Sequence, residues 1–161
     1  VEATFDVIDL NRPSALVWVH TRGLSIAILR VGEIGERRWS SFSQSFEQTP
    51  TNRLLLFVLG AVEFGPTQRR VLTRAIGERR VAAIADEMAG RQLITALSWA
   101  GVTIESFPNS AVREALGSLD PESEGESLER CLDLAARLSG ASQIGPWSSS
   151  ERPLTGVEAG A

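Results

Sequence analysis

Leu-Leu-Leu-Phe-Val-Leu-Gly-Ala-Val-Glu-Phe-Gly-Pro-Thr-Gln-Arg-Arg-Val-Leu, residues 54–72, is the stretch on which the fold turns. Its first six residues are continuously apolar. That is too short for a membrane span, and it is richer in β-formers than a helix of that length would be. Such a run reads as a strand buried on both faces, as parallel strands are when helices cover them. Gly60 opens a loop, and Gly65-Pro66-Thr67 reads as a helix start, because proline's missing N–H had no partner in a first turn. A strand that delivers a loop onto a helix N-terminus is where open α/β sheets place their working sites.

Working outward, residues 15–20 and 24–29 are apolar and β-branched around Thr21-Arg22-Gly23, which predicts a hairpin. Residues 5–8 are a candidate extra strand. Trp39, Phe42 and Phe46 recur at i, i+3 and i+7, one face of a helix starting near Glu36. After Pro66, the stripe Val71, Leu72, Ala75 and Ile76 predicts a helix with Arg69, Arg70 and Arg74 off the stripe, ended by Gly77. Residues 81–85 read as a second short strand closed by Asp86 and Glu87. Leu93, Ile94, Leu97 and Ala100 mark the next helix, stopped by Gly101. Residues 102–107 alternate as a strand with Val102, Ile104 and Phe107 inward, and Ser110 is placed as the cap of a helix carrying Ala111, Val112, Ala115, Leu116 and Leu119. Trp99, ending its helix, is expected to plug the sheet.

The order β–β–α–β–α–β–α–β–α predicts an α/β fold. Its mixed sheet has parallel crossovers, and the hairpin supplies the one antiparallel pair. This organises the chain as a domain over 1–119 and an acidic linker over 120–127. An additional amphipathic helix follows over 128–139 (Leu128, Cys131, Leu132, Ala135, Leu138), then a disordered tail over 140–161. The last helix must bury its stripe against the domain, a second copy or a partner.

Composition narrows function. The 161 residues are 43% hydrophobic and 22% charged, enough for a real core, and the net charge of −4 gives no general attraction to nucleic acid or anionic lipid. All 16 basic residues are arginine; without lysine, a P-loop and Schiff-base chemistry are excluded. One cysteine (Cys131) and one histidine (His20) exclude an internal disulfide and a Cys/His zinc cage within one chain. No charged-then-apolar leader opens the sequence and no apolar run approaches ~18 residues, so a soluble cytoplasmic protein without cofactor or metal is expected.

This order, with a Gly-loop-helix signature after a central strand, resembles the STAS domain, the fold of anti-sigma-factor antagonists. Within that superfamily residues 80–119 are most similar to the SpoIIAA-like branch. The likeness is carried by Val81-Ala82-Ala83-Ile84-Ala85-Asp86, by 102–107 with Pro108, and by Ala111-Val112-Arg113-Glu114-Ala115-Leu116. Antagonists of the family carry Gly-Val-x-x-x-Asp-Ser-Ser-Gly-Leu-x-x-Leu, with the first serine phosphorylated by a partner kinase. Laid on this chain, the first glycine falls on Gly60, the aspartate on Gly65, the serines on Pro66 and Thr67, the later glycine on Gln68, and the closing leucine on Leu72, with apolar Val71 beside it. The acidic residue and the acceptor serine are replaced, and one hydroxyl survives, on Thr67.

The resemblance implies a regulatory module that docks a protein partner, a regulator or kinase-like protein, and that can pair with itself. Expected contact residues are Glu63, Gly65, Thr67, Gln68, Arg69 and Arg70. Thr67 is either a phospho-acceptor, in a position tolerant of an anion, or simply a residue fringing the helix. Arg69, Arg70 and Arg74 with Arg79 and Arg80 are either a clamp for carboxylates or a solvated face. Two other readings stay open: a SpoIIAA-like binder of a small or lipid-like molecule between sheet and helices, and an enzyme using Asp86 or Glu87 for acid–base work. His20, in an apolar run with Trp18, is expected at an edge or in the core, and Cys131 as a small buried hydrophobe.

Overall fold

The computed structural model describes residues 4–5, 15–30, 34–59, 65–85, 88–125 and 127–141. Six strands form one sheet in sequential order: β1 (Thr4–Phe5), β2 (Leu16–His20), β3 (Ser25–Arg30), β4 (Arg53–Leu59), β5 (Arg80–Ile84) and β6 (Thr103–Phe107). β3, β4, β5 and β6 run parallel; β1–β2 and β2–β3 are antiparallel. Two antiparallel pairs therefore stand where the sequence suggested one, because the short β1 adds itself to the hairpin. Of the candidate strand 5–8, Phe5 pairs with Val19, and the remainder lies outside the described residues.

Three helices bridge the parallel strands: α1 (Glu36–Glu47), α2 (Pro66–Ile76) and α3 (Met88–Trp99). A sheet that advances one strand at a time with crossovers of one hand must carry all of these helices on the same face. So it does: Trp39, Phe42 and Phe46 from α1, Leu72, Ala75 and Ile76 from α2, and Leu93, Ile94 and Leu97 from α3 share one core with Leu54, Leu56 and Val58. The opposite face is covered by α4 (Val112–Leu119) and α5 (Leu128–Ala141). There Val112, Ala115, Leu116, Cys131, Leu134, Ala135 and Leu138 meet Leu55, Phe57, Val17, Ile26 and Ile28. β4 thus alternates between two dry cores, which is why its run is unbroken: any polar side chain on either face would lose water without a partner.

α5 spends its apolar stripe on the domain's own sheet and continues two residues beyond the expected end, through Ala141; residues 142–161, including Trp147, lie outside the described residues. Between α4 and α5, Pro121–Glu124 forms a 3-10 turn with Pro121 buried. In β6, Ile104 and Phe107 pack on opposite faces of the sheet rather than together inward, as residues three apart on a strand must. Ser110 does not cap α4: it sits within a 3-10 turn, Asn109–Ala111, and Ala111 takes the capping position without a side-chain bond. α3 lies close over the sheet at Gly90, where an added Cβ would stand 3.2 Å from both Ala85 Cβ and Val58 Cγ1.

The N-terminal edge of the parallel strands is where the helix C-termini gather, each with carbonyls lacking partners. Arginine satisfies them. Arg79 Nε donates to Thr51 O at 2.8 Å, Nη1 to Ala75 O at 2.8 Å and Ile76 O at 3.2 Å, and Nη2 to Phe46 O and Thr49 O at 2.6 Å each. Its guanidinium lies 5.3 Å from the Phe46 ring centroid. One side chain therefore ties the ends of α1 and α2 to the entry of β4, and its positive charge suits their dipoles. Arg53 and Arg80 do the same for α4, donating to Leu119 O and Ser118 O. Arg79 and Arg80 are accordingly structural fasteners, not members of an open basic cluster.

Candidate functional site

α2 begins at Gly65, whose extended backbone serves as N-cap without a side-chain bond, and Pro66 occupies the first turn. Gln68 folds back over Gly65, its Oε1 2.7 Å from where a Cβ would stand, so the glycine makes room for that side chain. Leu72, Ala75 and Ile76 point into the core, which leaves Pro66, Thr67, Arg69, Arg70 and Arg74 exposed. Thr73 Oγ1 donates to Arg69 O at 2.8 Å, closing the helix surface between the arginines.

A groove of about 530 Å³ separates α2 from the C-terminal half of α3, lined by Pro66, Arg69, Arg70, Thr73 and Arg74 on one side and Ala96, Leu97, Trp99 and Ala100 on the other. Among the described residues, none of Arg69, Arg70 and Arg74 is paired with a carboxylate. Trp99 does not plug the sheet. It is 86% exposed, and Met88 at the other end of α3 is 68% exposed. The buried stripe Leu93, Ile94 and Leu97 accounts for this: at 100° per residue Trp99 falls about opposite it, and Met88, three turns away, falls on the same outward face. A second, smaller groove of about 270 Å³ runs between α1 and α2 past Trp39, Ser43, Gln44, Glu47 and Val71.

Of the residues expected from sequence, the structure brings Arg69 and Arg70 into the groove wall. It sets Gly65, Thr67 and Gln68 at the helix start beside that wall; Glu63, with the rest of 60–64, lies outside the described residues. Asp86 and Glu87 are outside them as well. Arg74, named with the basic cluster, also lines the groove, as do Trp99 and Ala100, both expected to face the core, and Ala96, which was not singled out. The legible signal for Trp99 was its phase relative to the stripe.

The lone imidazole belongs to a different place. His20 is half-buried at the end of β2, edge-on to Phe46 with ring centroids 4.7 Å apart. Its Nδ1 lies 2.8 Å from Ser25 Oγ and its Nε2 2.6 Å from Ser45 Oγ, which also accepts from Trp18 Nε1 at 3.1 Å. A neutral ring satisfies all of them, donating from one nitrogen and accepting at the other, while Trp18 donates to Ser45. Burial first, and the Arg79 charge second, lower the His20 pKa from 6.5 to about 4, which keeps the ring neutral at ordinary pH. With both nitrogens committed inside the core, His20 is a structural histidine. Cys131 is buried in the core under α5. No group of three or more His, Cys, Asp or Glu with metal-binding geometry occurs among the described residues, and none of their helices is long and apolar enough to cross a membrane.

Comparison with protein-family models, with curated proteins and with solved structures finds no match to this chain.

Proposed function

We propose that this chain is a non-catalytic regulatory module of STAS-like type that docks a protein partner through the start and outer face of α2, in a cytoplasmic setting. The observation that carries this reading is the row Arg69, Arg70 and Arg74, exposed and without carboxylate partners among the described residues, beside a groove. Arg53, Arg79 and Arg80, by contrast, donate to carbonyls at helix ends, so the row on α2 differs from them in use. The hairpin-first order followed by β–α units in sequence accords with the STAS-like pattern. A non-catalytic role is supported by the commitment of the one imidazole and the one thiol to the core. Because α5 is spent on its own sheet, self-pairing would use another surface.

Thr67, exposed in the first turn of α2, is the hydroxyl through which a kinase would regulate docking, by adding nearly two negative charges beside the arginine row. The experiment compares proteins captured by wild-type chain and by Arg69→Glu/Arg70→Glu. The reading expects at least one protein retained by the first and lost by the second; identical captured sets would reject it.

A further inference from the structure

The groove carries more information than a basic patch would, because its two walls differ in chemistry. One wall is the arginine row: Arg70 and Arg74 are four residues apart, one helical turn, and Arg69 stands beside them. The other wall is apolar, formed by Ala96, Leu97 and Ala100 with Trp99 standing out from the rim. The two large hydrophobic side chains exposed among the described residues, Met88 and Trp99, share the outward face of α3, about 16 Å apart by helical rise. Small alanines on the floor let another backbone come close, while an aromatic at the rim is the residue type that most often anchors an interface. Such a surface is what an amphipathic helix needs for laying its apolar face in a groove.

We infer that the groove between α2 and α3 takes an acidic amphipathic helix of a partner protein. Its carboxylates, spaced one turn apart, face Arg70 and Arg74, and its apolar side chains cover Trp99 and Ala100. This rests on the docking role assigned to α2 and extends it to α3. The charge sign follows from guanidiniums that have no carboxylate partner among the described residues: two Asp or Glu residues of the partner neutralise them in a cleft that binding partly desolvates, where such pairs gain more than they do in open water. A nucleic acid fits less well, because the chain is acidic overall and the three arginines do not extend into a track that follows a phosphate backbone.

The test uses the whole chain as bait for a phage-displayed library of random peptides about sixteen residues long. Affinities of the enriched peptides are then measured for wild type, Trp99→Ala, Trp99→Phe and Arg70→Glu/Arg74→Glu. Because all three side chains are exposed, the variants keep the wild-type fold, checked by thermal unfolding. The inference expects peptides with acidic residues three or four apart alternating with large apolar ones. Their binding weakens at least about tenfold in Trp99→Ala and in the arginine variant, is largely kept in Trp99→Phe, and falls with added salt. Peptides that lose affinity with the arginine variant but are indifferent to Trp99→Ala, or that carry no acidic excess, overturn the helix-in-groove inference and leave α2 as a docking face. Failure to enrich any peptide sensitive to the arginine variant overturns both. Binding of oligo(dT) abolished by Trp99→Ala, in place of acidic peptides, overturns the choice of partner.

Discussion

At the scale of single residues, two polar side chains hold the architecture. Arg79 donates to five carbonyls at the ends of α1 and α2 and the entry of β4. Arg79→Met leaves those acceptors in a half-buried place without donors and is expected to lower unfolding free energy by about 2–4 kcal/mol in urea titration. Arg79→Lys, lacking the planar fork, should recover less than half of the loss. His20 gives a pH signature. Its folded pKa lies near 4, below the unfolded 6.5, so the unfolded chain binds the extra proton. The His20 contribution is therefore complete above pH 6.5 and is lost as pH falls toward 4, by on the order of 2 kcal/mol after allowance for partial solvation. Subtracting the unfolding profile of His20→Asn from that of wild type should leave this slope between pH 6.5 and 4; a flat difference would remove the proposed neutral bridge.

At the scale of elements, the apolar runs were legible and the fasteners were not. Residues 54–58 could only be a strand with two dry faces, and the structure assigns its alternate residues to two cores. Trp39, Phe42 and Phe46 likewise announced the inner face of α1. Arg79, by contrast, sits in a run of arginines whose members look alike in sequence, and only the convergence of two helix ends distinguishes it from Arg69 or Arg70. The placement of Trp99 was misjudged because an aromatic at a helix end was read by type instead of by phase. Leu56→Ala, at a fully buried position, should cost about 2–5 kcal/mol, while Trp99→Ala should change stability by no more than about 0.5 kcal/mol. Ending the chain at Gly125 uncovers Val17, Ile26 and Ile28 and removes Leu134 and Leu138 from the second core. That truncated chain is expected to bind a hydrophobic dye and lose cooperative unfolding; an intact sharp transition would mean α5 is an accessory.

At the scale of the whole molecule, the sequential sheet fixes which surfaces remain for other molecules. α4 and α5 close one face, and α1 packs beside α2 on the other. The α2–α3 groove stays open between two helices that a one-way winding sets side by side. β6 forms the outer edge, but Thr103, Glu105 and Ser106 are exposed along it, and a charged edge residue discourages strand addition. A chain acidic in sum thus shows the Arg69, Arg70 and Arg74 row beside the most exposed tryptophan among the described residues.

Hydrogen exchange, followed residue by residue with and without the protein that wild type captures, tests the central claim most directly. Slowed exchange over 65–74 and 96–100, with α4 and α5 unchanged, is the predicted footprint. A footprint on α5 or along β6, with α2 exchanging as in the free chain, would contradict it.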